Sequence, residues 1–146
     1  EAIRLGVLGD PVAHSLSLPM QNAALAEAGL ALRYARFQIA PNELAAALAR
    51  CAALDFIGVN LTVPHKVAGF ALVAECGPFA HGVGAINTIR FVDGRMQATN
   101  TDGPGFARAK RKLGLSRSKS RAPIFLSRTV ASSPIPIFGP LQKAFT

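Results

Sequence analysis

Polar side chains that could bind a small anion lie in three separate stretches of the sequence. The first, GDPVAHSLSLPMQN, carries Ser15 and Ser17 immediately before a segment of helical composition, with Pro19 in its expected first turn. Two hydroxyl groups beside the free N–H groups of a helix start are suited to binding a carboxylate. The alternative is that one serine only caps the helix, which is the commoner role at such a position.

The second stretch, GVNLTVPHKVAG, places Asn60 and Thr62 at the end of an apolar run and Lys66 shortly after Pro64. Proline suits the first turn of a helix, so Lys66 is predicted to lie in that turn. The helix dipole disfavours an exposed cation there by about 0.3–1 kcal/mol. Lys66 is therefore either a solvated surface lysine or a residue whose position serves a function.

The third stretch combines GAINTIRF with ATNTDGPGF. Its polar residues fall at predicted strand ends among glycines: Asn87, Thr88, Asn100, Thr101 and Asp102. Such a cluster is often only turn chemistry. Each of the three signals is weak when it is taken alone.

Helical and strand-like segments alternate along the chain. The segments IRLGVLG, LRYARFQIA and FIGVNLTV are predicted strands, and GAINTIRFV and MQATN form a predicted hairpin around Asp93-Gly94. Helices are predicted in PMQNAALAEAGL, in PNELAAALARCAAL, from Pro64 to about Cys76, and in GPGFARAKRKLG. This alternation predicts a three-layer α/β/α domain with a mixed, mainly parallel sheet.

The composition is that of a folded protein, since 50% of the 146 residues are hydrophobic and 16% are charged. No apolar run reaches the ~20 residues that a membrane span needs, and no leader pattern is visible. We therefore expect a cytoplasmic chain without membrane association. Cys51 and Cys76 lack metal-ligand spacing, so we expect reduced, structural thiols and no metal site.

The net charge of +8 is concentrated in the last third of the chain. Residues 1–102 carry a net charge of −1, whereas 103–146 contain nine lysines and arginines and no acidic residue. We expect 1–102 to form the domain, 103–113 to begin a connecting helix, and 114–146 to be an irregular basic tail rather than a folded domain. A basic tail could attract nucleic-acid phosphates, but the sparse aromatic residues and the lack of a known motif disfavour a nucleic-acid partner.

Four motifs carry a resemblance to a known family. GDPVAHSLS, GVNLTVPHK, GAINT and NTDGPGF occur here in the order in which they occur in shikimate dehydrogenases, and the resemblance extends from about Leu5 to Leu113. It implies the substrate-binding domain of an oxidoreductase that uses NADPH to reduce 3-dehydroshikimate to shikimate, a step of aromatic amino acid biosynthesis. The quinate/shikimate dehydrogenase branch shares these motifs and stays open as an alternative.

The resemblance also implies roles for individual residues. Ser15 and Ser17 would bind the substrate carboxylate, and the ring hydroxyls would be bound by Thr62, Asn87 and Asp102. Lys66 and Asp102 would be the catalytic pair. This assignment agrees with the chemistry, because hydride addition to a carbonyl builds negative charge on its oxygen, which a positioned acid must neutralise.

The cofactor-binding part of the family is not visible in this sequence. Shikimate dehydrogenases continue into a Rossmann domain with a glycine-rich turn, whereas GVGAIN and GPGFAR lack its third glycine and its preceding strand. The 33 residues after Leu113 are too few for a half-domain, since one βαβ unit takes about 30 or more. We therefore expect a chain that is truncated or altered after about Leu113, without an NADP site and inactive alone. A non-catalytic shikimate-binding role and any oligomeric state stay open.

Overall fold

Residues 2–113 are described by a computed structural model. The predicted basic tail, 114–146, lies outside the described residues, so its irregular character stays a prediction. The described part forms one mixed sheet flanked by helices.

Six strands within residues 2–113 form the sheet in the order β2-β1-β3-β5-β6-β4. Their bounds are β1 (Ala2–Gly9), β2 (Leu32–Gln38), β3 (Gly58–Leu61), β4 (Glu75–Cys76), β5 (Thr88–Val92) and β6 (Arg95–Thr99). β1 pairs in parallel with β2 and β3, and β4 pairs in parallel with β6. β5 is antiparallel to both β3 and β6. The sheet is therefore mixed with mainly parallel pairs, as predicted.

Five α-helices of the described part lie between and after the strands. They are α1 (Ser17–Glu27), α2 (Leu44–Ala53), α3 (His65–Leu72), α4 (Pro78–Val83) and α5 (Asp102–Lys112), with a short 3-10 helix (Pro41–Glu43) leading into α2. None of the described helices is long and apolar enough to cross a bilayer.

The prediction that the Lys66 helix extends to about Cys76 was wrong. α3 ends at Leu72 because Val73 adopts an extended conformation, with φ −112° and ψ 122°, and is buried. Glu75–Cys76 then forms the short strand β4 beside β6. This pairing partner lies far along the chain, so local composition could not indicate where the helix stops.

The hairpin prediction is confirmed at Asp93-Gly94. These two residues connect β5 to β6 with φ values of 49° and 74°. A two-residue turn of type I′ needs positive φ at both positions, which Asp and Gly tolerate better than most residues.

Adjacent residues of β1 face opposite sides of the sheet and belong to different cores. Leu8 packs in one hydrophobic cluster with Leu44 and Leu48 of α2. Val7 packs in the other cluster with Leu25 of α1. Because helices cover both faces, the predicted three-layer arrangement is confirmed.

The strand directions bring the three polar stretches to one edge of the sheet. β1, β3 and β6 run in the same direction, so their carboxyl ends meet there, and the antiparallel β5 begins there. The connection from β1 goes to β2 on one side, and the chain then returns to β3 on the other side. A reversal of strand order of this kind opens a crevice at the carboxyl ends of the strands, where α/β proteins bind ligands.

The side chain of Asn22 in α1 forms hydrogen bonds with the backbone of the edge strand β2. Its Oδ1 accepts a hydrogen bond from the Tyr34 N–H at 2.9 Å, and its Nδ2 donates to the Tyr34 carbonyl at 3.0 Å.

Asn22→Ala should lower the free energy of unfolding by about 1–3 kcal/mol, because both backbone groups lose their partner. Urea unfolding would measure the loss. The exposed Asn42 provides the control, for which a change within about 0.5 kcal/mol is expected; equal losses in the two variants would contradict the role of Asn22.

Candidate functional site

An ion pair joins the starts of α3 and α5. Lys66 Nζ donates to Asp102 Oδ2 at 2.6 Å, and the two side chains are only 12% and 13% exposed. Lys66 is the second residue of α3, as expected, and Asp102 is the first residue of α5. The two residues that the family resemblance implied as a pair therefore contact each other, and Lys66 is not a solvated surface lysine.

Asn87 orients the carboxylate of Asp102. The Asn87 Nδ2 donates to Asp102 Oδ1 at 2.8 Å and to Thr101 Oγ1 at 2.9 Å. Its Oδ1 accepts from the backbone N–H of Thr101 at 2.9 Å. Asn87 is buried directly before β5, so these hydrogen bonds hold Asp102 at a defined place on the sheet edge.

The side chain of Asn100 binds the backbone N–H of the first residue of α5. Its Oδ1 accepts the Asp102 N–H at 3.1 Å, while its Nδ2 donates to the carbonyl of Ala85 at 3.0 Å. Side-chain oxygens at a helix start satisfy N–H groups that have no partner within the helix. The local side-chain to backbone hydrogen bonding expected for this stretch is therefore present, and it also positions Asp102.

Tyr34 and Asn60 extend the hydrogen-bond network into the sheet. The Tyr34 hydroxyl donates to Asn60 Oδ1 at 2.7 Å, and Asn60 Nδ2 donates to the carbonyl of Asn87 at 3.1 Å. Burial raises the pKa of Tyr34 above its ordinary value. Tyr34 was not singled out by the sequence, because a tyrosine in an alternating strand gives no sign of a partner 26 residues away.

Thr62 lies in the loop that leads from β3 to Lys66. Its N–H donates to the carbonyl of Leu8 at 3.0 Å, and its own carbonyl accepts the N–H of His65 at 2.8 Å. The ring of His65 is buried, and its Nε2 lies 2.8 Å from the carbonyl of Ile39. The first residue of α3 is therefore anchored in the protein interior, directly before Lys66.

Ser15 lies on the loop that follows β1, and Ser17 is the first residue of α1. Ser15 Oγ accepts the N–H of Ser17 at 3.3 Å, but Leu16 occupies the N-cap position of α1 and no side chain caps the helix there, so the capping role of the alternative interpretation is not observed. The Asp10 N–H donates to the carbonyl of Val63 at 3.0 Å and links the serine loop to the loop before Lys66. The two loops therefore lie side by side at the carboxyl ends of β1 and β3.

A separate, largely apolar cavity of about 210 Å³ lies on the α1 side of the sheet. Asn60, Thr88 and Thr101 contribute to its lining, but Lys66, Asp102 and the two serines do not. Gln21 also lines it, and the buried Nε2 of that residue has no hydrogen-bond partner among the described residues. The ionic cluster, which consists of Lys66, Asn87 and Asp102, adjoins this cavity through Thr101, which lines the cavity and binds Asn87. The cluster is charged, whereas the cavity is largely apolar.

The cysteines are free in the described structure, as expected. Burial raises the pKa of the Cys51 thiol, an effect that Arg50 partly offsets, and burial also raises the pKa of Cys76. No group of three or more potential metal-ligating residues occurs within 2–113.

Comparison with known proteins identifies the family. Residues 7–89 match the family model for the shikimate dehydrogenase substrate binding domain. The chain belongs to this family. A relative from Geobacter sp. (strain M21), named shikimate dehydrogenase (NADP(+)), is 47% identical over 110 residues, which are 75% of this chain and 38% of the relative.

Solved structures agree with this assignment. The Thermus thermophilus shikimate 5-dehydrogenase in complex with NADP(H) and shikimate has a TM-score of 0.73 and 41% identity over 77% of this chain and 42% of that one. A Gluconobacter 5-ketofructose reductase has the same TM-score at 29% identity, over 77% of this chain and 40% of that one. The chain thus spans about two fifths of the length of these relatives.

The described residues do not fit the phosphates of a dinucleotide. GPGFAR does follow a strand, β6, contrary to the expectation, but a Cβ at Gly103 would overlap the ring of Phe79, so this glycine is used for contact with a side chain of the protein. The same helix starts with Asp102, whose carboxylate would repel a phosphate. GVGAIN begins within the last turn of α4 and does not follow a strand.

The network makes a testable prediction about the single tyrosine. The chain contains one tyrosine and no tryptophan, so the ultraviolet absorbance of tyrosinate reports Tyr34 alone. Burial raises the pKa of Tyr34, so the folded chain should keep it protonated well above pH 10, where exposed tyrosines ionise with a pKa of about 10. The folded state binds the Tyr34 proton more tightly than the unfolded state does. The contribution of this group to the free energy of unfolding is therefore complete below about pH 10 and is lost as the pH rises further.

The urea-unfolded chain is the control for this titration, and it should ionise near pH 10. Tyr34→Phe should remove the tyrosinate signal and reduce the loss of stability at alkaline pH. Ionisation of Tyr34 at the same pH in the folded and unfolded chains would contradict the buried placement of its hydroxyl.

Proposed function

We propose that this chain supplies the substrate-binding part of a shikimate dehydrogenase, and that its ligand is shikimate or 3-dehydroshikimate. The observation that carries the proposal is the Lys66–Asp102 ion pair, held by Asn87 at the carboxyl edge of the sheet. Family membership supports the substrate class. The chain spans only part of its relatives, so the activity of the whole enzyme is part of the proposal.

Lys66 and Asp102 are the proposed catalytic pair. The Lys66 ammonium can donate a proton to the oxygen of a reacting carbonyl or stabilise the negative charge that develops there. Each oxygen of Asp102 already accepts one hydrogen bond, from Lys66 or from Asn87. A carboxylate has about four acceptor sites, so Asp102 can still accept a hydrogen bond from a substrate hydroxyl.

Asn87 has less freedom to contact the substrate than the family resemblance implied. Both hydrogen-bond donors that its amide nitrogen can offer have partners, Asp102 and Thr101. A bond from Asn87 to a ring hydroxyl would require one of these contacts to be shared. We therefore infer that Asn87 contributes mainly by holding Asp102, and that Thr62 contributes from the loop beside Lys66.

The proposed carboxylate site consists of Ser15 and Ser17 at the start of α1. Oxygens of a carboxylate would accept hydrogen bonds from the two hydroxyls and from free N–H groups at that helix start. Ser15 Oγ is occupied only as an acceptor, so its O–H stays available to donate. The crevice between β1 and β3 would then receive the carboxylate on one side and the ring hydroxyls on the other.

We propose that the 146-residue chain binds substrate and does not oxidise it. NADP would supply the hydride acceptor in the complete reaction, but the glycine turns within 2–113 do not fit its phosphates. The domain bounds given above, the lack of a nucleic-acid partner and a cytoplasmic location stay predictions.

Substrate binding can be tested by NMR titration with shikimate, which measures weak affinities. A dissociation constant of the order of 1 mM, or about −4 kcal/mol, is expected for a crevice exposed to water. Lys66→Met should weaken binding about tenfold, because a hydrogen bond from a charged donor is lost. Lys112→Met, at the exposed end of α5, is the matched control and should leave the affinity unchanged.

The choice of ligand separates the substrate classes. Ser15→Ala combined with Ser17→Ala should weaken shikimate binding and leave the binding of its uncharged methyl ester nearly unchanged. Equal effects on the two ligands would remove the carboxylate role of the serines. Tighter binding of quinate or of 5-ketofructose than of shikimate would reassign the substrate within the family.

Turnover provides an independent measurement. The purified 146-residue chain should show no shikimate-dependent reduction of NADP⁺, since no fitting phosphate site occurs in its described part. A full-length shikimate dehydrogenase in the same assay is the positive control. Measurable reduction by this chain would show that it binds the cofactor and would overturn that part of the proposal.

A further inference from the structure

The position of Lys66 depends on how closely α3 approaches the sheet at Gly69. Gly69 lies three residues after Lys66, on the neighbouring turn of the same helix, and it is buried. A Cβ atom built at Gly69 would overlap the Cδ1 of Leu61 and would lie 3.2 Å from the Cδ1 of Ile86. With a side chain at residue 69, either the helix or these two side chains would have to shift.

The two residues that face Gly69 cannot easily move away. Leu61 is 2% exposed and Ile86 is 0% exposed, and both belong to the cluster that packs against α2 and α3. A tightly packed core yields little to an added methyl group, so the helix would have to shift instead.

The contact between Gly69 and Ile86 is linked to both charged residues of the ionic cluster, Lys66 and Asp102. The N–H of Ile86 donates to the carbonyl of Lys66 at 2.9 Å, so it ties the first turn of α3 to the segment before β5. The next residue, Asn87, binds the carboxylate of Asp102. A displacement of α3 would therefore change the position of Lys66 relative to its partner.

We propose that Gly69 is a positioning residue for the Lys66–Asp102 pair. It acts through its packing against Leu61 and Ile86. The side chain of Leu61 occupies the space that a side chain at residue 69 would need. The inference rests on the proposed function only for its consequence, which is substrate affinity. The geometric effect does not depend on any ligand.

The test compares two glycines that both lie inside helices. Gly69→Ala adds a methyl group in the packed interface, whereas Gly82→Ala in α4 adds the same group in open space, with no atom within 4 Å. Alanine is favoured over glycine in a helix at both positions, so the comparison cancels helix propensity. Only the packing against the sheet differs.

Amide hydrogen exchange and NMR report the local geometry without substrate. In Gly69→Ala, the exchange rate of the Ile86 amide should rise about tenfold, and the side-chain amide signals of Asn87 should shift. The amide of Val7, a β1 residue whose side chain packs in the cluster on the other face of the sheet, should keep its rate. Gly82→Ala should change none of these signals. A general loss of stability would instead raise all slow exchange rates together, which would contradict a local positioning role.

A second substitution tests whether the overlap with Leu61 is the cause. Leu61→Val shortens the side chain that the new methyl group would meet, so Gly69→Ala with Leu61→Val should restore the Ile86 exchange rate and the Asn87 signals. Failure of this rescue would overturn the proposal, and so would an unchanged Ile86 amide in Gly69→Ala. If Gly69→Ala does not fold, folding of the double variant supports the proposal, and failure of both variants overturns it.

Shikimate affinity, measured in the same variants, separates this inference from the proposed function. Affinity should fall in Gly69→Ala and recover in the double variant. If the unmodified chain binds no shikimate, the proposed function fails, while the exchange comparison still decides the role of Gly69.

Discussion

Asn87 is the residue through which the central strands and the helix that carries Asp102 are held together. Its N–H donates to the carbonyl of Thr99 in β6, and its carbonyl accepts the N–H of Leu61 in β3. Its side chain holds the first residues of α5. A buried amide with this many partners is costly to leave unsatisfied. The sheet register and the start of α5 are therefore determined together.

The charges of the site follow from this constraint. Lys66 lies at a helix start, where the dipole disfavours a cation by about 0.3–1 kcal/mol, whereas Asp102 at the start of α5 is favoured by its own helix dipole. A hydrogen bond between charged groups contributes about 1.5–3 kcal/mol, which exceeds the unfavourable dipole term. The lysine can therefore remain in this position because α5 supplies the carboxylate.

The family relationship and the geometry both concern the edge of the sheet where the strand order reverses. The described residues bring the Lys66–Asp102 ion pair to this edge, and a Cβ at Gly103, near the start of α5, would overlap the ring of Phe79. We propose that this edge binds the substrate, and that the start of α5 serves the proposed substrate-binding residues rather than a nucleotide phosphate.

Local chemistry explains which parts of the structure could be predicted. The Asp93-Gly94 hairpin and the first turn containing Lys66 depend on neighbouring residues, so the sequence by itself determined them. The family motifs also nominated Lys66 and Asp102, although nothing in their spacing showed that they touch. The two-residue strand β4 and the six-residue helix α4 escaped prediction because they are too short to show a period.

Tertiary structure alone decided the remaining features. The end of α3, the bond between Tyr34 and Asn60, and the fit of Gly69 against Leu61 each depend on residues that meet only after the sheet has formed. Sequence determined which chemical groups are present and how short segments turn. Packing and hydrogen bonding between distant segments decided which of those groups meet, because strand pairing brings together residues whose separation along the chain carries no local signal.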